Sequence, residues 1–255
     1  MKIYVGIDGT DNEDRLEASI ATSFVKRIGS MGFDRTLYIP GTKQSLLGWD
    51  SDNKSREAMR WIRFWNNTTL PGRAKCKVYL GGFSRGAVSA IYASHLLNDI
   101  GIHVTALFLF DAVDRTWSIA NKYSEKIPEN VGMAYHVYRD VDSGSRRSFG
   151  KMHDALRGEG VPNLKVKKVL TTHGAVGGWR NGSEFLVDST DYEETYAGSS
   201  ELSTPSVIFQ RSTFKERREL TGASNITAKQ QIIGQKESIR WMTQRVSDEL
   251  KSAEG

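Results

Sequence analysis

The chain has 255 residues, of which 38% are apolar and 25% charged, enough to bury a core as one α/β domain and too apolar for a disordered or collagen-like chain. Its 35 basic and 30 acidic residues leave a net charge of +5, but the two signs are interspersed, so the charge reads as solvation and no nucleic-acid partner is expected. No stretch approaches the roughly 18 to 20 apolar residues of a membrane helix, and the acidic Asp8 follows too soon after Met1 for a signal peptide. A single cysteine, Cys76, excludes an intramolecular disulfide and a cysteine-rich zinc site, and fits synthesis in a reducing cytoplasm.

Short runs of Val, Ile, Leu, Tyr and Phe alternate with helix-length amphipathic segments, the pattern of a mostly parallel sheet flanked by helices on both faces. In chain order, a strand is expected at 2–8, a helix at 14–31, a strand at 35–39, a helix at 54–66 and a strand at 75–81. A helix at 85–99, strands at 105–111 and 133–138, a helix near 145–157 and a strand at 167–172 follow. Residues 182–221 are rich in Ser, Thr, Gly and charge without periodicity and read as loops or a lid. A last helix, at 227–251, lines up Ile232, Ile239, Met242, Val246 and Leu250 on one face, a stripe expected to pack into the core. With no repeat and no linker in view, residues 1–255 read as a single domain.

The strongest local signal is Val78-Tyr79-Leu80-Gly81-Gly82-Phe83-Ser84-Arg85-Gly86-Ala87. An apolar strand runs into G-x-S-x-G, and a helix rich in small residues follows at once, the context in which this short pattern presents a nucleophilic serine on a sharp turn. Gly82 and Gly86 remove Cβ atoms where strand and helix would collide. The Arg85 backbone N–H then opens the helix, where it can donate to an oxyanion.

A serine hydroxyl needs a base, and the chain offers His95, His103, His136, His153 and His173. The first three fall within or against expected elements and read as structural. His173 follows the last apolar strand and opens the glycine-rich loop Gly174-Ala175-Val176-Gly177-Gly178, so it is the candidate base, with His153 in reserve. For the acid that orients the base, Asp111 ends the run Ala106-Leu107-Phe108-Leu109-Phe110 and Asp140 ends the next strand; Asp114 and Asp142 lie close by.

The first strand ends in Ile7-Asp8-Gly9-Thr10-Asp11-Asn12. A haloacid-dehalogenase-like D-x-D-G-T would place its nucleophilic aspartate on Gly6, and the D-x-G-T of sugar kinases and actin-like ATPases is broken because Asp8 directly precedes Gly9. The backbone of Gly9 or Thr10 can instead supply the second oxyanion donor, with Asp8 and Asn12 pinning the turn or capping the following helix.

I-D-G-T-x-N, Tyr38-Ile39-Pro40-Gly41, G-F-S-R-G-A at 82–87, F-D-A-V at 110–113, the 135–149 stretch and H-x-x-V-G-G at 173–178 together resemble a family of α/β hydrolases related to type VI secretion phospholipase effectors. The likeness runs over about residues 3 to 179, and Ala175 stands where that family's loop carries a second acid. It implies a single-domain α/β-hydrolase fold, a Ser84, Asp111 and His173 triad, and hydrolysis of carboxylic esters, phospholipids among them; a triad of this kind works without a cofactor, and none is expected. With no signal peptide expected, export would have to use a non-Sec route. Trp61, Trp65 and Trp179 are the residues that would suit an anionic membrane surface. Soluble esters, thioesters or peptides, and a catalytically inert binding module, are the competing readings.

Overall fold

The computed structural model describes residues 1–9, 22–41, 50–68, 75–113, 126–140, 163–178 and 228–253. The expected helix at 145–157, residues 14–21 of the expected first helix, the loop region at 182–221, and Thr10, Asn12, Asp114, Asp142, His153 and Trp179 lie outside the described residues.

The elements are β1 (Lys2–Ile7), α1 (Phe24–Gly29), β2 (Arg35–Ile39), α2 (Asp50–Asn67), β3 (Lys77–Phe83) and α3 (Arg85–Asn98), then β4 (Val104–Phe110), β5 (Val131–Arg139), β6 (Leu164–Val169), α4 (His173–Val176) and α5 (Ala228–Ser252). The strands form one sheet in the order β2-β1-β3-β4-β5-β6, and every neighbouring pair is parallel. The chain starts in β1, moves outward to β2, then returns to β3 on the other flank of β1. The loops leaving β1 and β3 therefore part company at a switch point, where open α/β sheets place their ligands.

Strand alternation sorts the core into two layers. Ile3, Val5, Ile7, Val78, Leu80, Leu107 and Leu109 face α2 and α3, where Ala58, Ile62, Ala87, Ile91 and Leu97 are fully buried. Their neighbours in sequence, Tyr4, Tyr79, Phe108, Phe110, Tyr135 and Val137, face α1 and α5. On this second face the rings of Tyr79, Phe108 and Tyr135 stack across three adjacent strands, with centroids 6.3 and 5.7 Å apart, a contact that adds roughly 0.5–1.5 kcal/mol per pair beyond area burial. On the first face, buried serines tie α2 to α3: Ser55 Oγ donates to the Ser89 carbonyl at 3.0 Å.

Most expected elements recur with small shifts. β3 runs on through Gly81 and Gly82 instead of ending at 81, because both glycines lie in register with β1. β6 occupies Leu164–Val169 rather than 167–172, and the last three residues of the expected strand bend away to lead into α4. Among the described residues β6 lies at the edge of the sheet, and it carries Lys165, Lys167 and Lys168, the kind of residue that discourages pairing with other chains. Trp61 and Trp65 are partly buried against the first core layer, and the Arg35 guanidinium stands 5.0 Å from the Trp65 ring. Among the described residues no helix is long and apolar enough to cross a membrane.

Candidate active site

The turns after β1 and β3 and the ends of β4, β5 and β6 meet at the carboxyl edge of the sheet. Ser84 occupies the one-residue turn between β3 and α3 with φ 55° and ψ −124°, a left-handed conformation that costs a non-glycine residue about 1–3 kcal/mol. The turn is held from three sides: Ser84 N–H donates to the Phe110 carbonyl at 3.0 Å, and the Ser84 carbonyl accepts from Ala87 N–H at 3.1 Å and Val113 N–H at 3.2 Å. Glycine is needed on both flanks. A Cβ on Gly82 would run into the Gly86 carbonyl and Ala87, and one on Gly86 would strike the carbonyls of Ile7 and Asp8. Arg85 is the first residue of α3, so its N–H belongs to the first turn, whose amides have no carbonyl four residues back within the helix.

His173 opens α4, with Thr172 as N-cap accepting from Ala175 N–H. Its ring lies 4.9 Å from that of Phe83. The loop that carries it is fastened to α5 on both sides: Thr171 Oγ1 donates to the Gln231 carbonyl at 2.9 Å, and Ser238 Oγ donates to the Val176 carbonyl at 2.9 Å.

These elements bring three of the expected residues into one chain of hydrogen bonds. His173 Nε2 lies 2.9 Å from Ser84 Oγ, and His173 Nδ1 lies 2.7 Å from Asp111 Oδ2. A carboxylate at that distance favours a ring proton on Nδ1, the tautomer whose Nε2 lone pair faces the serine hydroxyl. Ser84, Asp111 and His173 are all buried. Asp111, like Ser84, has a positive φ, 38°, and its N–H is anchored on the Val137 carbonyl at 2.7 Å. Burial alone would raise its carboxyl, but the Arg139 guanidinium, the His173 hydrogen bond and the nearby His173 and His136 rings outweigh burial and hold it well below the usual carboxylate range. Asp140, the competing acid, is paired with Lys168 Nζ at 2.9 Å.

The turn after β1 reaches the same place. A Cβ on Gly9 would come within 3.0 Å of Ser84 Cβ. Asp8 is buried, accepting from Tyr38 Oη at 2.7 Å and from Gly9 N–H at 2.9 Å. In this conformation the Gly9 amide is thus directed to the Asp8 carboxylate, while Thr10 lies outside the described residues. His95 Nε2 meets the Lys126 carbonyl at 2.7 Å, and His136 Nε2 accepts from Ala112 N–H at 3.2 Å, both contacts of a structural kind.

One residue of the cluster carried no signal of its own in the sequence. Arg139, the last residue of β5, is buried, and its guanidinium bonds directly to Asp111 Oδ2. The only available cue was its place at the end of an apolar strand, one position before Asp140.

Beside the His173 loop opens a cavity of about 530 Å³ that reaches Gly178; Lys26, Arg27 and Lys236 line it together with Phe24 and Ile239. Among the described residues no cluster of three or more His, Cys, Asp or Glu side chains is arranged to hold a metal ion.

No protein-family model matches the chain, and no curated protein matches it. Solved structures do. An uncharacterized protein from Pseudomonas aeruginosa superposes with a TM-score of 0.55 at 16% identity, over 96% of this chain and 50% of that one. The Tle1 effector, solved bound to the VgrG spike of the Type 6 secretion system, gives 0.46 at 16% identity, over 71% of this chain and 51% of that one. An α/β serine hydrolase without a lid from Xanthomonas campestris gives 0.41 at 16% identity, over 67% and 72%. The chain spans about half the length of the first two, and at these identities the likeness is one of fold. The parallel six-stranded sheet, the helices on both faces and the strand, turn and helix around Ser84 make that fold an α/β-hydrolase fold.

Proposed function

We propose that the chain is a serine hydrolase of carboxylic esters, acting through Ser84, His173 and Asp111 and an acyl-enzyme intermediate. The observation that carries this reading is the hydrogen-bonded line from Asp111 Oδ2 through His173 to Ser84 Oγ, at 2.7 and 2.9 Å, with the serine on a strained turn beside a helix N-terminus. As Ser84 Oγ attacks the ester carbonyl, its proton passes to His173 Nε2, and Asp111 balances the imidazolium that forms. The imidazolium then protonates the departing alkoxide, the alcohol leaves, and the ester bond to Ser84 remains. Water, deprotonated by the same Nε2, releases the acid and restores the hydroxyl.

The oxyanion is assigned to the Arg85 N–H and to the turn at Gly9 and Thr10. Donation from Gly9 requires its amide to leave Asp8 Oδ1, which now accepts it. A phospholipid or another ester bearing an anionic group is favoured by the cavity next to the His173 loop, where Lys26, Arg27 and Lys236 stand beside Phe24 and Ile239.

A fluorophosphonate probe tests the reaction class. Wild-type protein is expected to label and Ser84→Ala to remain unlabelled; an unlabelled wild type would mean an inert hydrolase-shaped module. Release of fatty acid from phosphatidylglycerol vesicles, compared with turnover of p-nitrophenyl butyrate, tests the substrate. Turnover of the short ester without vesicle hydrolysis would replace the phospholipid reading with one of soluble esters.

A further inference from the structure

Around the proposed triad lies a fourth buried group that the reaction scheme above leaves idle. Arg139 ends β5, between the strand that delivers Asp111 and the strand that leads to His173. It meets Asp111 twice: its backbone N–H lies 3.4 Å from Oδ1, and its guanidinium Nη1 bonds to Oδ2. The same Nη1 is 2.9 Å from His173 Nδ1. Oδ2 therefore receives the imidazole and the guanidinium together, and a fixed cation stands against the ring that must become positive during the reaction.

Two consequences follow from this geometry. With both oxygens of Asp111 held from β5, the carboxylate cannot rotate away from Nδ1. The guanidinium cannot lose its proton in a protein, so its charge also opposes protonation of the imidazole and offsets part of the attraction that Asp111 exerts on the imidazolium. Among the described residues the β1 turn brings one other buried carboxylate to the site, Asp8, which accepts from Tyr38 Oη and Gly9 N–H. His136 of β5 adds positive character when charged, Asp140 is already paired with Lys168, and α5 offers the neutral Gln231 and Ser238 to the loop.

We infer that Arg139 is a positioning residue of the site, which locks the Asp111 carboxylate onto His173 and keeps the imidazole in its basic form into mildly acidic solution. The inference rests on the triad reading, and its test separates the two. The rate of fluorophosphonate labelling, or kcat/KM for p-nitrophenyl butyrate, is measured between pH 4 and 9 for wild type, Arg139→Gln and Arg139→Lys, with Ser84→Ala as the blank. In Arg139→Gln the plateau should fall about 100-fold as the carboxylate loosens, and the acid limb should move up by about one pH unit. In Arg139→Lys, which keeps the charge but not the fork, the plateau should fall while the acid limb stays where it is.

An Arg139→Gln profile that drops without moving would overturn the inference while leaving the triad intact. A wild type that never labels would instead remove the triad reading. Should Arg139→Gln not fold, imidazole nitrogen shifts of the wild-type protein at pH 6 decide the matter. A neutral His173 ring protonated at Nδ1 supports the inference, and an imidazolium overturns it, since an unperturbed histidine with a pKa near ~6.5 is mostly charged there.

Discussion

Ser84 and Asp111 both sit at positive φ, 55° and 38°, although neither is glycine. The strain is tolerated because β3 and β4 are locked by register on both sides and the Ser84 and Asp111 amides are bonded to the Phe110 and Val137 carbonyls. Relieving it at the nucleophile should stabilise the protein: Ser84→Gly is expected to exceed Ser84→Ala by about 1 kcal/mol in urea unfolding, with neither labelled by a fluorophosphonate. At the acid, Asp111→Asn preserves shape but can donate to Nδ1 and so favour the wrong tautomer. Turnover should fall by roughly 10⁴-fold with an unchanged circular dichroism spectrum. Ser84 stood out in the sequence by its G-x-S-x-G turn between an apolar strand and a helix, and Asp111 by its place at the end of an apolar run, a signal it shared with Asp140. Arg139 did not, because its meaning depends on the ends of β4, β5 and β6 being neighbours, an order that no local pattern encodes.

At the scale of elements, the elbow depends on contacts across β1, β3 and α3. Gly86→Ala would drive a Cβ into the Ile7 and Asp8 carbonyls, and Ile7 is held in register with β3. A loss of roughly 1–3 kcal/mol is expected, read as a lower thermal midpoint together with slower labelling. The C-terminal helix α5 supports the loop that carries His173. Met242 is fully buried against the second core layer, so Met242→Ala should cost about 2–5 kcal/mol and should slow labelling further than the stability loss alone accounts for. Element existence was readable from periodicity because strands and helices here obey their repeat lengths closely. The ends were less so: the expected strand at 167–172 was placed by its apolar composition, whereas β6 starts at Leu164 and alternates with lysines as an edge strand does.

For the whole molecule, the buried charge cluster couples stability to pH. The Asp111 carboxyl is held below its ordinary range, so its contribution is complete above the unfolded value of about 3.9 and is lost as pH falls through the folded one. Unfolding free energy should therefore be nearly level from pH 7 to 5 as far as this group is concerned and decline below about pH 4. In Asp111→Asn that decline should be shallower; an equal slope would place the acid sensitivity elsewhere.

The tie between α5 and the loop of His173 also orders events in time. During synthesis β1 to β4 leave the ribosome first, bringing Ser84 and Asp111 together, while the helix that steadies the base is made dozens of residues after His173. The proposed site is therefore complete only when residues 228–253 have docked, and a chain clipped before that point would carry Ser84 and Asp111 without the two α5 contacts that hold the His173 loop.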